Sequence, residues 1–194
     1  MIFTAIATTI LLSAGCGEGS PVTSRDAGPP PQALGSTGAW PTRGDGTGRL
    51  RGLPAPLRFD GSTLDGRPFN GADLAERPVV FWFWAPWCPI CMSEAPHVAE
   101  VARKYGDRVT FVGVAGFETD RDKMRRFVVR TGTGGITQLD DHTGRLYAHF
   151  KVTTVPSYLF VTAGGKSTRD FGQLQRSAWD GKVRKLAGAP RLPH

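Results

Sequence analysis

Thirteen residues constrain this chain more than any others: Val79-Val80-Phe81-Trp82-Phe83-Trp84-Ala85-Pro86-Trp87-Cys88-Pro89-Ile90-Cys91. The uncharged run Val79–Trp84 is far shorter than the ~20 residues a membrane-spanning helix needs. It is built from aromatic and β-branched residues, which predicts a strand buried on both faces. Ala85-Pro86 ends the run, and Pro89 stands where a first helical residue tolerates proline, its missing N–H having no partner to lose. A buried strand therefore leads into a helix whose mouth carries two cysteines. Three residues apart on a first helical turn, Cys88 and Cys91 lie on one face, close enough to form a disulfide.

That placement divides their chemistry. Cys88 sees the unpaired N–H groups and the positive end of the helix dipole, which favour thiolate over thiol. Pro89 has no N–H, so the backbone donors left for the Cys88 sulfur are those of Ile90 and Cys91. Cys91 sits one turn deeper, where burial makes a thiol harder to ionise. The expectation is that Cys88 attacks and Cys91 resolves the mixed disulfide. Half of a zinc site is the competing reading of such a pair. A structural zinc needs four ligands, and the remaining cysteine is Cys16, far upstream. His97, His142, His149 and His194 have no ligand spacing, so no metal is expected.

Composition divides the chain. From Gly17 to Pro56, 16 of 40 residues are Gly or Pro. Such a stretch buries too little to offset its ordering entropy and reads as a tether. Residues 1–15 are apolar and uncharged and end in Leu11-Leu12-Ser13-Ala14-Gly15-Cys16, a secretory signal resembling a bacterial lipoprotein box, although no Lys or Arg precedes the apolar run. The resemblance implies cleavage before Cys16 and lipidation of it. Ordinary cleavage would instead leave Cys16 as an odd free thiol in an exported protein. The expected organisation is a signal at 1–15, a lipidated Cys16 with its tether at 16–56, and one domain at 57–190. Net charge is +7, with its densest cluster at Arg121, Lys123, Arg125, Arg126 and Arg130. A solvated helix face is the first reading of that cluster, and attraction to an anionic envelope or acidic partners the second. No nucleic-acid-binding motif is present.

Along the domain, Asp-Gly turns at Asp60 and Asp65 predict small strands and turns. A helix from Cys88 to Tyr105 follows the first long strand, with Cys91, Ala95, Val98, Ala102 and Tyr105 on its inward stripe and Gly106 at its end. Val109–Ala115 reads as a strand. Asp120 or Thr119 caps a helix ended by Gly132, with Met124, Phe127, Val128 and Thr131 inward. A strand near Thr137–Asp140, a helix near Gly144–Phe150, a strand through Val161, a return strand to Phe171 and a helix over Gln175–Ala187 complete the order. This alternation, with the return strand to Phe171, predicts an α/β fold with a mixed, mostly parallel central sheet flanked by helices.

Phe83-Trp84-Ala85-Pro86-Trp87-Cys88-Pro89-Ile90-Cys91 resembles the active-site segment of the thioredoxin superfamily, in its extracytoplasmic TlpA/ResA/DsbE branch and most of all the secreted actinobacterial DsbE- and DsbF-like proteins. The similarity covers roughly residues 55–187. It implies a thioredoxin-like fold with an N-terminal hairpin and a strand–helix insert. It also implies a cis Pro156 beside the disulfide, where Val155 would pair its backbone with a substrate strand, and a substrate face at Trp87, Pro89 and Ile90. A glutamate three residues after the second cysteine, here Glu94, is functional in the ResA-type site; a carboxylate there could exchange a proton with Cys91. A solvated helix glutamate without a role is the alternative. Trp82 stands where thioredoxin has its buried acid.

The implied protein is a thiol–disulfide oxidoreductase on the outer face of the cell membrane. It would be monomeric, with no cofactor beyond its own disulfide, and would serve exported cysteine-containing proteins and a membrane redox partner. Oxidation of thiols is favoured over the reductive role of cytochrome c maturation. A copper-handling chaperone on the same fold is the alternative, but such carriers usually space the cysteines by three and place a histidine, for which His149 is a loose candidate. A peroxidase of the superfamily needs P-x-x-x-T-x-x-C, and the Pro and Thr slots before Cys88 hold Phe81 and Ala85.

Overall fold

The computed structural model describes residues 52–188. The signal segment, Cys16, the tether up to residue 51 and His194 lie outside them. Val79–Trp84 forms β3, the middle of a five-stranded sheet, and every residue of it is buried. Thr110–Ala115 (β4) and Thr137–Asp140 (β5) lie to one side of it, and Ser157–Val161 (β6) and Ser167–Phe171 (β7) to the other, in the order β5-β4-β3-β6-β7. A separate hairpin pairs Asp60–Ser62 (β1) with Pro68–Asn70 (β2). The helices are Pro89–Tyr105 (α1), Arg121–Thr131 (α2), Arg145–Phe150 (α3) and Arg176–Ala187 (α4).

The sheet is mixed, as expected. The β3–β4 and β4–β5 pairs run parallel, joined by helical crossovers. The β3–β6 and β6–β7 pairs are antiparallel, because β6 re-enters from the far side and turns straight back at Gly164-Gly165. Alternation along β3 then builds two cores. Val80, Trp82 and Trp84 face α1, α2 and α4, packing with Val98, Phe127 and Trp179. Val79, Phe81 and Phe83 face α3 and the N-terminal segment, packing with Phe59, Leu146 and Phe150. Full burial of side chains this large contributes about 1.5–3 kcal/mol each, which makes β3 the least dispensable element.

Local chemistry sets the ends of the helices. Asp120 caps α2 by accepting from the Asp122 and Lys123 N–H groups, and Gly132 ends it in the left-handed region at φ 69°. Gly106 follows α1 with φ −62°, so that end does not use the left-handed cap glycine usually supplies. Gly113 answers to packing. It pairs with Trp82 across β3–β4, and a Cβ there would collide with the Gln138 amide. Gln138 in turn accepts from the Trp84 indole N–H at 3.0 Å, and Trp84 stacks on Phe127 with centroids 4.1 Å apart.

Candidate active site

Cys88 is the N-cap of α1 and Pro89 its first residue. The two cysteines form a disulfide with Cα atoms 5.2 Å apart. The Cys91 N–H donates to Cys88 Sγ at 3.1 Å, so of the two donors left by Pro89 it is the deeper one that reaches the sulfur. Cys88 is 4 % exposed and Cys91 0 %, so both sulfurs are enclosed and the first is only slightly open. Accessibility is supplied by their neighbours: Trp87 is 58 % exposed, and Pro89 and Ile90 also face solvent.

Two loops frame the pair. The Val155–Pro156 peptide bond is cis, as the resemblance implies, and the Val155 carbonyl oxygen lies 3.8 Å from Cys88 Sγ. Pro156 is buried and Val155 half-buried. On another side the Trp87 indole N–H donates to the Phe117 carbonyl at 2.9 Å. Phe117 has φ 51°, a left-handed conformation uncommon outside glycine, and its ring meets Tyr147 edge-on at 4.7 Å. The Tyr147 hydroxyl donates to the Trp84 carbonyl at 2.8 Å, closing a brace from α3 back to the end of β3.

Beneath the pair, Glu94 is 6 % exposed, which removes the solvated-glutamate reading. Its neighbours come from β6 and from the segment before α4. Glu94 Oε1 accepts from the Leu174 N–H at 2.7 Å, and Oε2 accepts from the Tyr158 hydroxyl. Burial pushes the Glu94 carboxyl above its ordinary value, and the Tyr158 and Leu174 donors pull it part of the way back. Burial first, then the neighbouring Glu94, pushes the Tyr158 hydroxyl well up, so it remains a donor. Tyr158 pairs across the sheet with Trp82 and meets Trp179 edge-on at 4.9 Å. Cys91 shares this buried cluster with Trp82, Tyr158 and Trp179. The arrangement sets a weakly acidic carboxyl one helical turn from a buried sulfur.

Tyr158, Leu174, Phe117 and Tyr147 were not singled out by the sequence. Tyr158 alone carried a signal: it lies two residues beyond Pro156, so strand alternation puts both on one face. The others depend on contacts between segments distant in the chain. His149 lies away from the cysteines, its ring 4.8 Å from Phe150 and 5.8 Å from Phe59, both in the cluster on the opposite face of the sheet. Among the described residues no three His, Cys, Asp or Glu side chains are grouped to hold a metal ion.

Comparison with known proteins agrees with this geometry. The profile of the AhpC/TSA family matches residues 52–168. The chain is 42 % identical over 112 residues to the soluble secreted antigen MPT53 of Mycobacterium tuberculosis, an alignment that covers 58 % of this chain and 63 % of MPT53. The chain thus spans somewhat under two thirds of the length of that relative. Among solved structures, dsbF of M. tuberculosis superposes with a TM-score of 0.67 at 42 % identity, covering 69 % of this chain and 98 % of that one. A secreted M. tuberculosis disulfide oxidoreductase homologous to E. coli DsbE superposes with a TM-score of 0.62 at 37 % identity, covering 66 % and 96 %.

Proposed function

The chain belongs to the AhpC/TSA family, with a thioredoxin-like fold, and on that premise we propose that it is an extracytoplasmic thiol–disulfide oxidoreductase. The observation that carries the reading is the Cys88–Cys91 disulfide, capped by the Cys91 N–H and lying against the cis-proline loop. The family's peroxidase chemistry has no support here, since Phe81 and Ala85 fill the slots where its Pro and Thr would stand.

In the oxidising direction a substrate thiolate attacks Cys88 Sγ. A substrate–Cys88 disulfide forms, and Cys91 leaves as a thiolate that takes up one proton. A second substrate thiolate then attacks the substrate sulfur of that bond and expels Cys88 as a thiolate. Two electrons have passed from the substrate thiols to the cysteine pair, and the substrate holds a disulfide. Glu94 is the group proposed to give Cys91 its proton, and to take it back when the pair is reoxidised by a membrane redox partner. Its upward-shifted carboxyl suits that exchange. The N–H at Cys88 Sγ supports the thiolate that leaves last.

Exported cysteine-containing proteins are the proposed substrates, supported by the secreted relatives. Trp87, Pro89, Ile90 and the Val155 backbone form the face that receives them. We place the protein on the outer face of the membrane through a lipid on Cys16, and Cys16→Ser should release it to the soluble fraction; wild-type protein that is already soluble and unacylated would refute the anchor.

The oxidoreductase reading is tested by trapping and by potential. Cys91→Ser should accumulate mixed disulfides through Cys88 with exported proteins, and failure to trap any would sink the reading. A reduction potential near the ~−120 mV of DsbA supports disulfide donation, whereas one near the ~−270 mV of thioredoxin makes the protein a reductant.

A further inference from the structure

The basic cluster on α2 is divided by its partners. Arg121 Nε donates to Asp140 Oδ2 at 2.6 Å. Arg125 donates to the Leu64 carbonyl at 3.1 Å and to Asp122 at 2.7 Å. Lys123 Nζ donates to Glu118 Oε2 at 3.2 Å. Arg126 only approaches Asp120, at 4.0 Å, and among the described residues no carboxylate forms an ion pair with Arg130. Positions 123, 126 and 130 recur at helical spacing, so they present one face. That face borders a cleft of about 390 Å³ whose opposite wall is Pro86 and Trp87, the residues immediately before Cys88. Phe127 forms part of its lining and fixes α2 in place by stacking on Trp84. The cleft's one carboxylate, Glu118, is already occupied by the Asp120 N–H, by Lys123 and by the Thr119 N–H, which hold it below its ordinary carboxylate value.

Two guanidinium groups with little compensation thus stand across from the exposed tryptophan beside the attacking sulfur. We infer that this cleft is a specificity subsite that receives an acidic side chain of the partner polypeptide, close in sequence to its reactive cysteine. The inference rests on the oxidoreductase reading and adds the partner's chemistry to it. A cation there would meet Arg130 and an Arg126 only weakly compensated by Asp120, while a carboxylate gains two charge-assisted donors and apolar contact with Trp87. The cleft is a feature of α2 and of the Trp87 position, and does not require the remaining net charge of the chain.

The test compares single-cysteine peptides flanked by Asp with the same peptides flanked by Asn, which removes charge and keeps shape. Each rate of reaction with the oxidised full chain is divided by that peptide's rate with the neutral hydroxyethyl disulfide, cancelling the effect of the flanking acid on the peptide's own thiol. The Asp peptides should be favoured about tenfold at low ionic strength, with the preference shrinking as salt rises. Arg126→Glu with Arg130→Glu should abolish or invert the preference, with folding checked by near-ultraviolet circular dichroism. Arg184→Glu with Lys185→Glu makes the same charge change in the exposed last turn of α4 and should keep it. A wild-type ratio of one, or an equal loss in the α4 pair, overturns the subsite.

A parallel titration uses Ser in place of the peptide cysteine and follows tryptophan fluorescence. It should saturate for the Asp form and not for the Asn form. Saturation without exchange by any peptide would keep the subsite and sink the oxidoreductase reading. Equal exchange of both peptides without selective saturation would do the reverse.

Discussion

Cys88 and Cys91 are three residues apart on one helix, yet they belong to two regions built on different principles. On the Cys88 side are an exposed tryptophan, two solvent-facing residues of the first helical turn and two loops, held by single hydrogen bonds such as Trp87 to the Phe117 carbonyl. On the Cys91 side lies a buried layer of Trp82, Trp84, Tyr158 and Trp179, with Glu94 fixed by two donors. The lesson is that a single helical turn at the end of a buried strand can give two chemically identical thiols different tasks. One side is free to meet partners because the other side carries the stability.

Breaking the buried side should cost most. Trp84→Ala removes the Phe127 stack and leaves the Gln138 amide oxygen without its donor, and should lower unfolding free energy by about 3–5 kcal/mol in urea. A loss below about 1 kcal/mol would show that the layer is not the support described here. Glu94→Ala leaves the Leu174 N–H and the Tyr158 hydroxyl without their acceptor, at a cost of about 2–3 kcal/mol.

Glu94→Gln separates proton transfer from support, because it resembles the protonated carboxyl. Exchange should slow by more than about tenfold near neutral pH if the proton passes through Glu94. Rates within about twofold of wild type would leave Glu94 as a structural group only. Its folded carboxyl is raised above the ordinary 4.5, so the folded state holds a proton that the unfolded chain has released. Its contribution to stability is therefore full below about pH 4.5 and is lost as pH rises through the folded value. The difference in stability between wild type and Glu94→Gln should accordingly drift against wild type over that interval. Asp141, whose carboxyl is also raised by burial, titrates in both proteins and cancels. A flat difference from pH 4 to 8 would contradict the shift.

The smallest stability effect belongs to the open side. Trp87→Ala should change unfolding free energy by no more than about 1 kcal/mol, since it removes an exposed ring and one surface hydrogen bond. It should nevertheless weaken peptide exchange. A stability loss matching that of Trp84→Ala would erase the distinction between the two sides.

What is legible in the sequence follows the same division. The element order, the doubly buried β3, the α2 cap at Asp120 and the placement of Cys88 and Cys91 are local patterns of periodicity and capping, and they were legible. So was a mixed sheet, but the pairing that makes half of it antiparallel was not, because the direction in which β6 re-enters is a long-range property that alternation of strands and helices does not encode. Glu94 was found by its offset from Cys91. Its burial was invisible because the atoms covering it come from Tyr158 and Leu174, 64 and 80 residues away. The basic cluster read as one solvated face; its division required the positions of Asp140, Leu64 and Glu118.

The most direct test of the two-sided site is the alkylation of each cysteine in the fully reduced protein, followed by mass spectrometry across pH. Cys88 should react first at every pH, with a midpoint below the ~8.5 of a free thiol, while Cys91 stays protected and its midpoint lies above that value. Faster modification of Cys91, or a Cys88 midpoint at or above ~8.5, would contradict the assignment of attacking and resolving sulfurs.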